Sequence, residues 1–202
     1  MSLCIVLTVS DSYIVIGADS RGCTLDENGN YIDVNDNYEN ISAINNNVIF
    51  CNGDKDALDY IKLKFKQSEN QNINTLQQIC IETYETFKHI NNFPPVVNIC
   101  IATLEESKVA LYYMSSKDEN FEIKRYSNDR KKVSVMTFGF NQAEATILTE
   151  SYLKEHSEFT ISELYKYVYQ ELVDENTIGG RLTIYTLLSG RGIRRKIIQL
   201  EG

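Results

Sequence analysis

An apolar run that closes on small residues and then turns abruptly ionic, Ile14-Val15-Ile16-Gly17-Ala18-Asp19-Ser20-Arg21-Gly22, constrains this chain more than any other stretch. It reads as a buried strand. Gly17 and Ala18 let a neighbouring group approach the backbone closely, and an acid at a buried strand end needs a cation or backbone N–H groups. Cys4-Ile5-Val6-Leu7-Thr8-Val9 precedes it, with Ser10-Asp11-Ser12 as turn chemistry, so the chain opens on a hairpin.

The 202 residues suit one domain over 1–202, with enough chain for a sizeable core. No apolar stretch reaches the length of a membrane span and no basic leader opens the sequence, which gives a cytoplasmic protein with no membrane partner as the expectation. A net charge of −8 argues against nucleic acid, and the basic runs at 130–132 and 191–196 are short enough to be solvated strand ends. Cysteines at 4, 23, 51, 80 and 100 are odd in number and lack metal-ligand spacing. They read as reduced thiols, mostly core filler, with neither a metal nor a cofactor expected. Met1-Ser2-Leu3 and Glu201-Gly202 resemble residues left over from cloning, in which case the natural chain is expected to begin Met-Cys, with Cys4 as its second residue.

Along the chain, polar residues at 26–30 form a turn, and 31–34 a short return strand. A second hairpin spans 40–44 and 48–51. Asp54 caps a helix with an apolar stripe of Ala57, Leu58, Ile61, Leu63 and Phe65, and a second helix covers 74–91. Strands follow at 96–103, 108–114, 121–126 and 132–138. A third helix runs over 142–156, and Thr160 with Glu163 forms a capping box for a fourth. A hairpin of 182–188 with 194–200 ends the chain. Consecutive hairpins and two helix pairs predict an α+β fold with mainly antiparallel sheets, arranged as a four-layer αββα sandwich.

Four stretches carry a resemblance to a known family: Val15 to Arg21; the strand 41–44 entering Val48-Ile49-Phe50-Cys51-Asn52-Gly53-Asp54; Thr137-Phe138-Gly139-Phe140; and Ile178-Gly179-Gly180-Arg181-Leu182-Thr183. In this order they resemble proteasome β-subunits and HslV, which are N-terminal-nucleophile (Ntn) hydrolases. The resemblance implies peptide or small-amide cleavage by a nucleophile that shares its residue with a free α-amine. It also implies a homo-oligomer, in the form of a stacked ring, and an ATPase partner.

Carried over residue by residue, Asp19 stands at the family's aspartate, Asn40 where the family has lysine, Phe140 at the serine of its Gly-Ser-Gly turn, and Asp174 or Glu175 at the acid before the Gly-Gly turn. The expected first residue falls among Ser2, Leu3 and Cys4. Cys4 is the catalytic candidate, because a terminal thiol ionises more easily than a hydroxyl and needs a lysine less. With three residues ahead of it the chain is expected to be inactive, and a version starting at Cys4 active. The alternatives are a non-catalytic ring or scaffold subunit, favoured by the missing lysine and serine, and an unrelated small-ligand-binding α/β domain. His89 and His156 sit near helix ends, where the helix dipole accounts for them.

Overall fold

A computed structural model describes residues 2–9, 11–25, 28, 30–106, 108–127 and 133–200. The basic triplet 130–132, the pair 201–202 and much of the expected 26–30 turn lie outside these residues. The opening hairpin is β1 (Leu3–Val9) and β2 (Tyr13–Ala18), antiparallel with Cys4 opposite Ala18 and Val6 opposite Ile16. There follow β3 (Gly22–Leu25), β4 (Tyr31–Asn35), β5 (Ile41–Ile44), β6 (Asn47–Gly53), α1 (Lys55–Gln67), α2 (Ile73–Asn91), β7 (Val97–Glu105) and β8 (Lys108–Ser115). The chain continues through β9 (Lys124–Tyr126), β10 (Ser134–Gly139), α3 (Gln142–Glu155), α4 (Ile161–Leu172), β11 (Arg181–Leu188) and β12 (Gly192–Gln199).

The strands form three antiparallel sheets, ordered β10-β1-β2-β11-β12, β5-β6-β7-β8-β9 and β3-β4. This corrects the four-layer αββα sandwich expected from the sequence. Two sheets were expected, and the described residues form three. The chain breaks out of the large sheets after Asp19 because that acid and Ser20 bond across to other segments instead of continuing the ladder. The separate β3–β4 ribbon then supplies one wall of a cavity beside the site.

Both faces of β1 are buried, which explains its nearly unbroken apolar sequence. Leu3, Ile5 and Leu7 share a cluster with Leu164, Tyr165, Val168 and Tyr169 of α4. Cys4 and Val6 point the other way, into a cluster with Val48, Phe50, Cys100 and Leu111 of the β5–β9 sheet. A third cluster joins α1 and α2 to that sheet through Ala57, Leu58, Ile61, Phe65, Leu76, Cys80, Ile99 and Met114. Leu63 does not belong to it and is 52% exposed, since the face set by Ala57, Leu58, Ile61 and Phe65 leaves position 63 on the far side of the helix.

The helix starts follow their cap chemistry. The Asp54 carboxylate accepts from Ala57 N–H, and Thr160 with Glu163 makes the full capping box. The strand expected at 121–126 shortens to Lys124–Tyr126. The Asp118 carboxylate accepts from the N–H groups of Asn120 and Glu122, and Phe121 sits at φ 50° with its ring packed edge-on against Tyr84, so this backbone is committed to a turn.

Candidate functional site

The site lies where β1 begins and β2 ends. Asp19 is 1% exposed, and its carboxylate accepts three backbone N–H groups: Leu3 at 2.9 Å, Arg21 at 3.1 Å and Gly179 at 3.3 Å. No side-chain cation donates to it among the described residues. Arg21, the nearest candidate, forks onto the Asp36 carboxylate and reaches the carbonyl of Asp174 instead. Burial pushes the Asp19 carboxyl up to about 7, against the opposing pull of the N–H groups of Leu3, Gly179 and Arg21.

A pH dependence follows. The folded value lies above the ordinary carboxylate value, so the native state keeps a proton that the unfolded chain has released. The stabilisation is complete below about pH 4, declines as pH rises, and is lost above about pH 7. Urea midpoints of wild type should therefore fall relative to those of Asp19→Asn across this window. A gap between the two proteins that does not vary with pH would contradict the assignment.

Asn40 is 5% exposed, and its carboxamide donates to the carbonyls of Asp19 at 2.9 Å and Arg21 at 3.1 Å. It fixes the bend after β2 and carries no charge to the acid. Asp174 lies just beyond α4. Burial raises its carboxyl, but bonds from the Thr177 hydroxyl and the N–H groups of Thr177, Asn176 and Ile178 outweigh this and hold it below the usual range. Its carboxylate thus shapes the loop that presents Gly179 N–H to Asp19. Arg21 packs against the Gly179 backbone, leaving no room there for a Cβ.

Cys4 is fully buried in the cluster between the two large sheets, beside Cys100. Burial first, and then the Cys100 thiol, raise its pKa well above the ordinary value, so the thiol is held protonated. The structure brings Asp19 and Asn40 into one cluster, sets Asp174 one loop away, and places Cys4 on the strand that enters the cluster.

The sequence keeps Ser2 among the possible first residues but puts the catalytic role on Cys4. Ser2 is 1% exposed, and its hydroxyl is, among the described residues, the buried side-chain polar atom that finds no hydrogen-bond partner. Its carbonyl accepts from Phe140 N–H at 2.9 Å, and Gly139 packs so tightly on that carbonyl that no side chain fits there. A signal was present in the sequence, since the side-chain alternation of β1, continued one residue ahead of Leu3, puts position 2 in phase with Cys4 and Val6.

Two cavities lie in this part of the fold, the second of them reaching Gly139, which packs on the Ser2 carbonyl. One, of about 70 Å³, is lined by Gly22, Cys23, Tyr38, Asn40, Cys51 and Gly53 among others; the second, of about 140 Å³, lies near Phe138, Gly139, Asn98, Cys100, Tyr113 and Gln142. Asn52 lines both, and its amide nitrogen faces Gly139.

No family model and no curated protein matches this chain. Among solved structures it is similar to Anbu, in a Gly-1 mutant form, from Hyphomicrobium sp. strain MC1, with a TM-score of 0.68 and 10% identity over 98% of this chain and 87% of that one. Anbu is a proteasome-like protein, and the present fold differs from HslV in size and topology, so the assignment to proteasome β-subunits and HslV is corrected. The four stretches behind it consist of small residues and acids at strand ends. Tight packing demands these in many arrangements, so they could not tell one relative from another. What the comparison establishes is an α+β fold of mostly antiparallel sheets, distantly similar to a proteasome-like protein.

Proposed function

We propose that this chain hydrolyses amide bonds with the Ser2 hydroxyl as nucleophile, once the peptide bond before Ser2 is cut and its α-amine is free. The observation that carries this reading is the buried, unpartnered Ser2 hydroxyl, on the residue whose peptide link to Leu3 is held by the buried Asp19 carboxylate. A buried hydroxyl with no partner costs about 1–3 kcal/mol, a cost that persists where a reacting group needs the free oxygen.

In the reaction, Ser2 Oγ forms a bond to the substrate carbonyl carbon while its proton passes to the α-amine of the same residue. The C–N bond then breaks, and the α-ammonium returns the proton to the departing amine. Water hydrolyses the resulting ester. Asp19, buried and near neutrality, holds the Ser2–Leu3 peptide by accepting from Leu3 N–H. The carboxamide of Asn52, common to both cavities and facing Gly139, is our candidate donor to the oxyanion.

The test uses protein released proteolytically so that it begins at Ser2, assayed against a panel of peptide and small amides and against a β-lactone, which a reactive hydroxyl opens to an ester. Mass spectrometry should find the adduct on Ser2, and Ser2→Ala should lose hydrolysis by roughly a thousandfold or more. Neither turnover nor adduct in the released protein would instead leave a non-catalytic scaffold, the reading favoured by the lack, among the described residues, of a side-chain cation donating to Asp19. We also read the chain as self-associating, with Ile90, Phe93 and Val96 exposed by 69%, 60% and 58% at the end of α2. Light scattering should show a homo-oligomer; a monomer at every concentration removes this part.

A further inference from the structure

Two tyrosines of α4, Tyr165 and Tyr169, are fully buried, and their hydroxyls are spent on main-chain carbonyls of the opening hairpin. The Tyr165 hydroxyl is shared between Ile5 O at 2.9 Å and Val15 O at 3.1 Å. That of Tyr169 is shared between Leu3 O at 2.9 Å and Gly17 O at 2.8 Å. The geometry is commensurate: four residues of helix advance about 6 Å and two residues of strand about 6.6 Å, so residues i and i+4 of α4 meet successive carbonyl pairs. A carbonyl has two lone pairs, so accepting a hydroxyl leaves the β-ladder intact.

The two contacts differ in where they fall. Tyr165 grips the middle of the hairpin. Tyr169 grips the last pair of carbonyls before the site, one residue from Ser2 on β1 and two from Asp19 on β2. The Ser2–Leu3 segment is then held on three sides: Ser2 O by Phe140 N–H, Leu3 N–H by Asp19, and Leu3 O by Tyr169. The same hydroxyl ties the strand carrying the nucleophile to the strand carrying the acid. We propose that Tyr169 is a positioning residue, whose hydroxyl sets the placement of Ser2 relative to Asp19. This rests on the reading of Ser2 as nucleophile.

Tyr165 supplies the matched control, since it makes the same kind of bond on the same strands one step further from the site. Tyr165→Phe and Tyr169→Phe, each in protein beginning at Ser2, should lose comparable stability in urea. Tyr169→Phe should slow β-lactone acylation of Ser2 by roughly tenfold to a hundredfold with half-saturation unchanged, as expected when a reacting group is misplaced. It should also move the Asp19 carboxyl titration, followed by carbon NMR, upward as the Leu3 N–H bond loosens. Tyr165→Phe should leave both readings within about twofold of wild type. Installing 4-aminophenylalanine at position 169 keeps an N–H donor there and should hold wild-type values, which also decides the matter if Tyr169→Phe does not fold.

Equal effects in the two phenylalanine variants, or loss of both readings in the aminophenylalanine protein, would overturn the assignment. If the wild-type protein is not acylated at all, the Ser2 reading fails on its own account. The Asp19 titration still decides whether Tyr169 sets that acid's surroundings.

Discussion

Gly17→Ala should destabilise the protein by about 3 kcal/mol, at the upper end of what overpacking a buried site costs. A Cβ at position 17 would lie 2.5 Å and 2.7 Å from two ring carbons of Tyr165, closer than real contacts allow. The ring cannot retreat, because the side chain is fully buried and its hydroxyl is fixed on Ile5 and Val15. The strand cannot move away either, since β2 is paired on both sides, to β1 and β11. Urea unfolding is the measurement. The Gly17→Ala, Tyr165→Leu double variant should be less destabilised than the sum of its parts, because the smaller side chain removes the clash. Full additivity, or a Gly17→Ala midpoint equal to wild type, would show that α4 does not sit on this strand as described.

Asp19→Ala should cost on the order of 3 kcal/mol near pH 5. Three N–H groups on three segments, those of Leu3, Arg21 and Gly179, lose their acceptor at once. Leaving a buried donor unsatisfied costs about 1–3 kcal/mol, and the total is reduced because an uncompensated acid is removed with it. The difference from wild type should shrink as pH rises through about 7, for the reason given by the burial of the carboxyl. Amide hydrogen exchange should quicken at Leu3 and Gly179 together, since the two N–H groups rest on the two oxygens of one carboxylate. Unchanged midpoints and unchanged exchange would place Asp19 in solvent and remove the centre of the site.

Some of this protein was legible in its residues. The apolar runs of β1 and β2, the Asp54 cap, the Thr160–Glu163 box and the apolar spacing of α1 and α2 are local patterns, and each produced the element it encodes. The stretch from Gly17 to Arg21 likewise announced a tight, buried approach ending in an acid that needs donors. Local periodicity carries that information because it depends on neighbours within a few residues.

The sequence alone did not identify the donors that satisfy Asp19, or the group that occupies the space left by Gly17. One donor is two residues away, the others are 16 and 160 residues away, and the Tyr165 ring comes from α4. Separation into three sheets was equally hidden, since the hydrogen bonds that pull the chain aside after Asp19 run from Ser20 to Asp36 and Arg181. Ser2 and Cys4 lie two residues apart at the start of the chain, and pattern alone left both as candidates for the first residue. Both are buried in the structure, but Cys4 is enclosed among Val6, Phe50 and Cys100, while the Ser2 hydroxyl has no hydrogen-bond partner. That difference arises from contacts between segments distant in the chain, which only the tertiary structure brings together.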